Sequence, residues 1–161
     1  MIRDRPPHFP IPTVVLALLL LAILNGCASL QLPDVDLEEE TWQVRQGQAV
    51  WKANADAPPI AGDLLIAKDN AGNVFISFSK GPVPVFTARS TADGWLLDLA
   101  VRGKSFSRRG NPPKRFIWFA VPALLDGAPP PKGWTADKVA DDEWMLEKPK
   151  NGETVRLILD L

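Results

Sequence analysis

From Thr41 onward, apolar residues recur at alternate positions, and turn-forming residues interrupt them roughly every eight to twelve positions. A period of two marks strands that bury one face of a sheet. The first predicted strand covers residues 42–53. Trp42 and Val44 share one of its faces and Ala49 and Trp51 the other, and that change of side predicts a β-bulge near Gly47. Ala57-Pro58-Pro59 closes the strand. Segments 63–68 and 73–79 are predicted to pair as a hairpin around Asp69-Asn70-Ala71-Gly72, with Val74, Ile76 and Phe78 on one face. Gly81-Pro82-Val83-Pro84 breaks the chain before strands at 85–90 and 95–102. The second of these puts Trp95, Leu97, Leu99 and Val101 on one side, and a short segment, 104–108, follows.

The composition then changes. Asn111-Pro112-Pro113 has the form of a helix start, with Asn as the cap and Pro just inside. Phe116, Phe119 and Ala120 would share a helical face, and Pro122 is predicted to split the helix into two short pieces ending at Asp126-Gly127. Two last strands, 144–147 and 154–160, are predicted to close a hairpin on Asn151-Gly152, with Val155, Leu157 and Leu159 inward. The fold so predicted is mainly β. It is a strongly curved, unclosed antiparallel barrel of about seven to nine strands, with one Pro-interrupted helical segment of about 10–15 residues in or over the concave face. One helix cannot cover such a sheet, so an apolar cavity beneath it is the expected functional site.

The N-terminus carries a different pattern. Arg3 and Arg5 lead into an apolar run from Val14 to Leu24, followed by small residues and Cys27. A helix from Thr13 to Leu24 would extend about 18 Å, short of the ~30 Å of a bilayer core, so the run predicts a cleaved signal rather than a retained span. Leu24-Asn25-Gly26-Cys27 resembles a lipobox, which implies cleavage after residue 26 and acylation of Cys27. Several acyl chains on one cysteine anchor a protein firmly where a single chain does not. Ala28 stands where aspartate would signal inner-membrane retention, so the expected location is the periplasmic face of the outer membrane. Residues 27–40, with Glu38-Glu39-Glu40 and Pro33, read as a lipid anchor and polar tether, and residues 41–161 as a single domain.

Charge and composition narrow the chemistry. The leader removes Arg3, Asp4 and Arg5 from a chain with a formal charge of −1, so the mature part is nearly neutral and no nucleic-acid partner is predicted. The only histidine, His8, lies in the leader, and the only cysteine carries the lipid. Neither a Ser-His-Asp relay, nor a Cys-His pair, nor a zinc site of the usual ligands can be assembled from what remains. Glycines stand singly at turns rather than in a phosphate-binding loop, so no nucleotide cofactor, no metal and no enzymatic activity are predicted. Asp141-Asp142-Glu143 is the densest acidic cluster, but neighbours on a strand point to opposite faces, and it reads as a solvated turn. Arg102, Lys104, Arg108, Arg109, Lys114 and Arg115 form one basic stretch, which is either a solvated loop or a surface for lipid headgroups or an acidic partner.

The order of these parts resembles the LolA/LolB family, in the shortened form of its lipid-anchored outer-membrane receptors. Strand, then Ser79-Lys80-Gly81-Pro82-Val83-Pro84, then strand, is similar to a family segment in which an exposed apolar residue beside a proline enters the membrane. Asn111 to Pro131, with Leu125-Asp126-Gly127-Ala128-Pro129, is similar to the family's proline-led helix. The resemblance implies an apolar interior that takes acyl chains, a membrane-contact loop at Pro82, Val83 and Pro84, and a LolA-like periplasmic carrier as partner. Trp51, Ile76, Phe78, Trp95, Leu97 and Trp118 are the candidate acyl-chain contacts, each of which could equally be plain core. Two readings lead: a lipid-binding module, or a non-enzymatic accessory lipoprotein of an outer-membrane assembly with a packed interior; a third, a carboxylate-dependent hydrolase, would need a pair of inward-facing carboxylates in the cavity. Whether the interior is empty separates the first two.

Overall fold

The computed structural model describes Leu32 and residues 35–160. The predicted signal segment, Cys27 and part of the predicted tether lie outside the described residues. Nine strands are present: β1 (Trp42–Lys52), β2 (Ile60–Asp69), β3 (Val74–Lys80), β4 (Val83–Ser90), β5 (Gly94–Leu99), β6 (Lys104–Arg109), β7 (Thr135–Lys138), β8 (Glu143–Lys148) and β9 (Glu153–Leu159). They form one unclosed, curved antiparallel sheet in the order β6-β5-β4-β3-β2-β1-β9-β8-β7. The chain therefore enters mid-sheet, builds outward to the β6 edge, and returns from the β7 edge to lay β9 beside β1. The connection from β6 to β7 has to travel from one edge to the other. It carries the only helical elements of that crossing, a 3-10 turn (Ile117–Ala120) running directly into a helix, α1 (Val121–Leu125).

The period-two pattern becomes one continuous apolar face. Ladder pairs place Ala49 and Trp51 of β1 in line with Leu64 and Ile60 of β2, Ile76 and Phe78 of β3, Phe86 and Ala88 of β4, Trp95 and Leu97 of β5, and Val155 and Leu157 of β9. Most of these side chains are fully or nearly fully buried. Trp118 of the 3-10 turn descends onto them with no exposed surface. Its ring centroid is 4.9 Å from Phe86, 5.5 Å from Phe78 and 6.1 Å from Trp51, so one indole joins strands β1, β3 and β4. At the far end of the crossing Asp126 accepts from Lys68 Nζ at 2.7 Å and from Arg45 at 3.4 Å. These pairs are half exposed, so they orient the helix end while contributing at most about 1 kcal/mol each.

Several local expectations are corrected. The register of β1 with β2 runs unbroken through Gly47, and its ladder with β9 starts in register at that residue, so there is no bulge there. Trp42 and Val44 instead face outward, where Val44 pairs beside Ala67 on a small apolar patch of the outer face. The irregularity of the sheet lies in β4, where Val85 is extra opposite Phe78 and Ser79, and both Val85 and Phe86 turn inward. Gly47 serves curvature: a Cβ there would lie 2.1 Å from the carbonyl oxygen of Ile158. Gly47→Ala is accordingly expected to cost at least about 1–3 kcal/mol, because a backbone atom cannot swing aside. Chemical denaturation that left the midpoint unchanged would contradict this account of the bend.

The prolines and turns differ too. Gly81 and Pro82 form a tight turn, with Gly81 at φ +58°, and β4 begins at Val83 rather than after Pro84. Asn111-Pro112-Pro113 does not cap a helix. A residue that precedes proline is driven to extended backbone, and here two in succession are, so regular helix waits until after Phe116. Pro122 sits in the first turn of α1, where its missing N–H costs nothing, and the helical segment is shorter than expected. Asn151-Gly152 ends a four-residue connection from Lys148 to Glu153. Gly152 alone takes positive φ, so this is not the two-residue hairpin turn. Residues 104–108 form an edge strand with every residue exposed, and β7 was not anticipated. Of the Asp141-Asp142-Glu143 cluster, Asp141 and Asp142 lie in the turn between β7 and β8, while Glu143 opens β8 and is half-buried. Asp141 pairs with Lys138, and Glu143 accepts from Arg156 at 2.7 Å.

Candidate functional site

The helical crossing covers one half of the concave face and leaves the other open. At the end where β1 and β5 finish and β2, β4 and β6 begin, a cavity of about 630 Å³ remains. Its strand walls are Trp51, Ile60, Val85, Trp95, Leu97 and Leu99. The β1–β2 connection closes one side with Ala53, Ala57 and Pro58, and the crossing chain closes the other with Pro113 and Phe116. Bulging at Val85 is what turns that side chain into the wall. The β5–β6 connection forms the lip. A 3-10 turn over Ala100–Arg102 reverses at Gly103, in left-handed backbone, and brings Val101 and the β6 residue Phe106 to the mouth. Val101 is 67% exposed and Phe106 45%, so the mouth itself is greasy.

The polar groups around this apolar space are few. Glu153 is buried at 7% exposure, its carboxylate accepting from Trp51 Nε1 at 3.3 Å and facing Lys148 Nζ at 3.9 Å. Lys148 also lies 5.5 Å from the centre of the Trp134 ring, so that cation and that acid answer one another inside the wall. Arg102 and Arg115 complete the lining at the mouth. Among the described residues no group of three histidine, cysteine or carboxylate side chains converges as a metal site.

Of the six candidate acyl contacts, Trp51, Trp95 and Leu97 line the cavity. Ile76, Phe78 and Trp118 do not: they are the fully buried centre of the packed half, under the helical crossing. Sequence reasoning missed Ile60, Val85, Leu99, Val101, Phe106 and Phe116 as cavity residues. The alternation that marked Leu99 and Val101 as companions of Leu97 carried the signal for two of them. The bulge that placed Val85 left no such trace. Pro82 ends the tight turn after β3 and Val83 and Pro84 open β4, so the predicted loop is an exposed hairpin end, with Val83 57% exposed two residues before the wall residue Val85. Of the basic stretch only Arg102 and Arg115 reach the cavity.

A second depression of about 720 Å³ lies on the outer face, over β9, β1, β2 and β3. Its lining mixes Gln46, Gln48, Asp63, Ser77, Ser79 and Asp160 with Leu65 and Phe75. It is the larger of the two. Gly47, Leu64 and Ile158 complete that lining, which is about half polar, so an alkyl chain there would bury less apolar surface and would displace water from side chains that hold it. The concave cavity has the opposite character. No helix among the described residues is long and apolar enough to cross a membrane. In comparisons with known proteins, no family model matches the chain and no curated protein sequence matches it significantly.

Proposed function

We propose that the protein is a lipid-anchored lipoprotein of the outer membrane that takes acyl chains into its concave cavity without chemistry of its own. In this reading it is an acceptor in lipoprotein transport, held by acylated Cys27 at the periplasmic face. The observation that carries it is the cavity: about 630 Å³ with predominantly apolar walls and a greasy mouth, a size typical of ligand pockets. Each methylene moved from water into such a space contributes about 0.8 kcal/mol, so about ten of them supply about 8 kcal/mol with no polar contact at all. The exposed Pro82-Val83-Pro84 tip stands beside the same rim and would bring the mouth to a membrane. The anchor leads to β1 at Trp42, at the opposite end of the sheet from the mouth. The fourteen residues from Cys27 to Glu40 reach at most about 50 Å, longer than the strand they must pass, so the mouth can turn back to the bilayer.

Native mass spectrometry of the full-length chain, incubated with an acylated lipoprotein peptide, tests the reading. The expected result is a one-to-one adduct that competing palmitate displaces. Absence of an adduct at ligand concentrations well above the micromolar range would leave the accessory-lipoprotein reading in its place.

A further inference from the structure

The charges of the cavity are unevenly distributed. Its one carboxylate, Glu153, is buried and already engaged by Trp51 Nε1 and Lys148. Arg102 and Arg115 are different: both are exposed at the mouth, and neither has an ion-pair partner among the described residues. They come from distant parts of the chain. Arg102 ends the 3-10 turn between β5 and β6, while Arg115 sits in the turn that Phe116 N–H closes onto the carbonyl of Pro113. The fold thus brings two uncompensated guanidinium groups to the lip of a cavity whose walls are otherwise apolar.

We infer that the cavity selects an amphiphile whose alkyl chain ends in an anionic head, a carboxylate or a phosphate, held at the mouth by Arg102 and Arg115. This rests on the acyl-binding part of the reading above, not on a lipoprotein as the cargo, and names the head group of a free amphiphile that the same cavity would take. The chain enters the apolar space and the head stops where water and the two cations meet it. Guanidinium groups bind carboxylate and phosphate oxygens through paired, charge-assisted hydrogen bonds, and each such bond is worth more than a neutral one. A neutral glyceride satisfies the cavity but leaves both arginines as they were. A cationic head is repelled at the same place.

The test uses the full-length chain in phosphatidylcholine nanodiscs, photolabelled with diazirine-bearing palmitic acid. Unlabelled palmitate, hexadecyl phosphate, monopalmitoylglycerol and hexadecyltrimethylammonium are the competitors. The anions are expected to compete about 10- to 100-fold more strongly than the glycerol ester, the range that one or two charge-assisted hydrogen bonds provide. The ranking of palmitate against hexadecyl phosphate identifies which head is preferred. In the Arg102→Gln/Arg115→Gln variant the anion advantage should vanish while competition by the glycerol ester stays unchanged. Both positions are exposed, and circular dichroism of the variant serves to establish that the fold is intact. Equal competition by palmitate and monopalmitoylglycerol in the unaltered protein would overturn the head-group inference and leave acyl binding standing. Absence of label from the peptides that carry Trp51, Trp95 and Phe106 would remove both.

Discussion

Replacing Trp118 with alanine is expected to lower the folding free energy by about 3–5 kcal/mol, the range for truncating a large aromatic residue in a packed core. Trp118 has no exposed surface and sits within 6.1 Å, ring to ring, of Trp51, Phe78 and Phe86. Removing it empties the contact through which the edge-to-edge crossing rests on the sheet. A domain of this size has about 5–15 kcal/mol in all, so the loss is a large fraction of its stability. Urea denaturation measures it directly. The indole N–H adds nothing to the stabilisation, because Nε1 is buried with no hydrogen-bond partner among the described residues. Trp118→Phe keeps much of the ring contact and relieves that unpaired donor, so its cost should be well below that of alanine. Equal costs for the two variants would mean that the ring contacts are not what holds the crossing down.

Leu99→Trp is expected to weaken acyl binding by about 50-fold with little change in stability. Leu99 closes the last ladder pair of β5 with Lys104 and lines the cavity while remaining only half buried. An indole there points into empty space rather than into packed atoms, so it takes room from the ligand and not from the core. Excluding about three methylene groups at about 0.8 kcal/mol each gives about 2.4 kcal/mol, which is that 50-fold. Competition by monopalmitoylglycerol in the photolabelling experiment reads the effect without involving head-group charge. A variant that bound as before, with an unchanged thermal midpoint, would show that the acyl chain sits somewhere other than this cavity. Trp118 and Leu99 thus separate the two halves of the concave face: one change should cost stability, the other binding.

The six candidate contacts show how far alternation can be read. Five of them, Trp51, Ile76, Phe78, Trp95 and Leu97, stand on strands and Trp118 on the helical crossing, and the ladders and the Trp118 contacts put all six on the concave side. A period of two reports the face of a strand and nothing about what stands opposite it. Which of the six meet protein and which meet empty space depends on where the crossing chain lies. That in turn depends on β6 and β7 being opposite edges of one sheet.

What the sequence by itself determined is local: the strands other than β7, most of their limits, where glycine and proline break the chain though not the form of each turn, the placement of the helical crossing, and the absence of imidazole and thiol from the chain after Cys27. These follow from backbone preferences and side-chain periodicity, which act over a few residues. Only the tertiary structure decided the rest. Gly47 reads as a bulge until β9 is seen passing it so closely that a Cβ would strike Ile158, and Val85 reads as an ordinary strand start until its register with Phe78 is known. Arg102 and Arg115 belong to one basic run along the chain, yet only the folded sheet selects these two from it and sets them at the same mouth. A cavity is a difference between the volume that the elements enclose and the volume that their side chains fill, and neither quantity exists until distant segments are brought together.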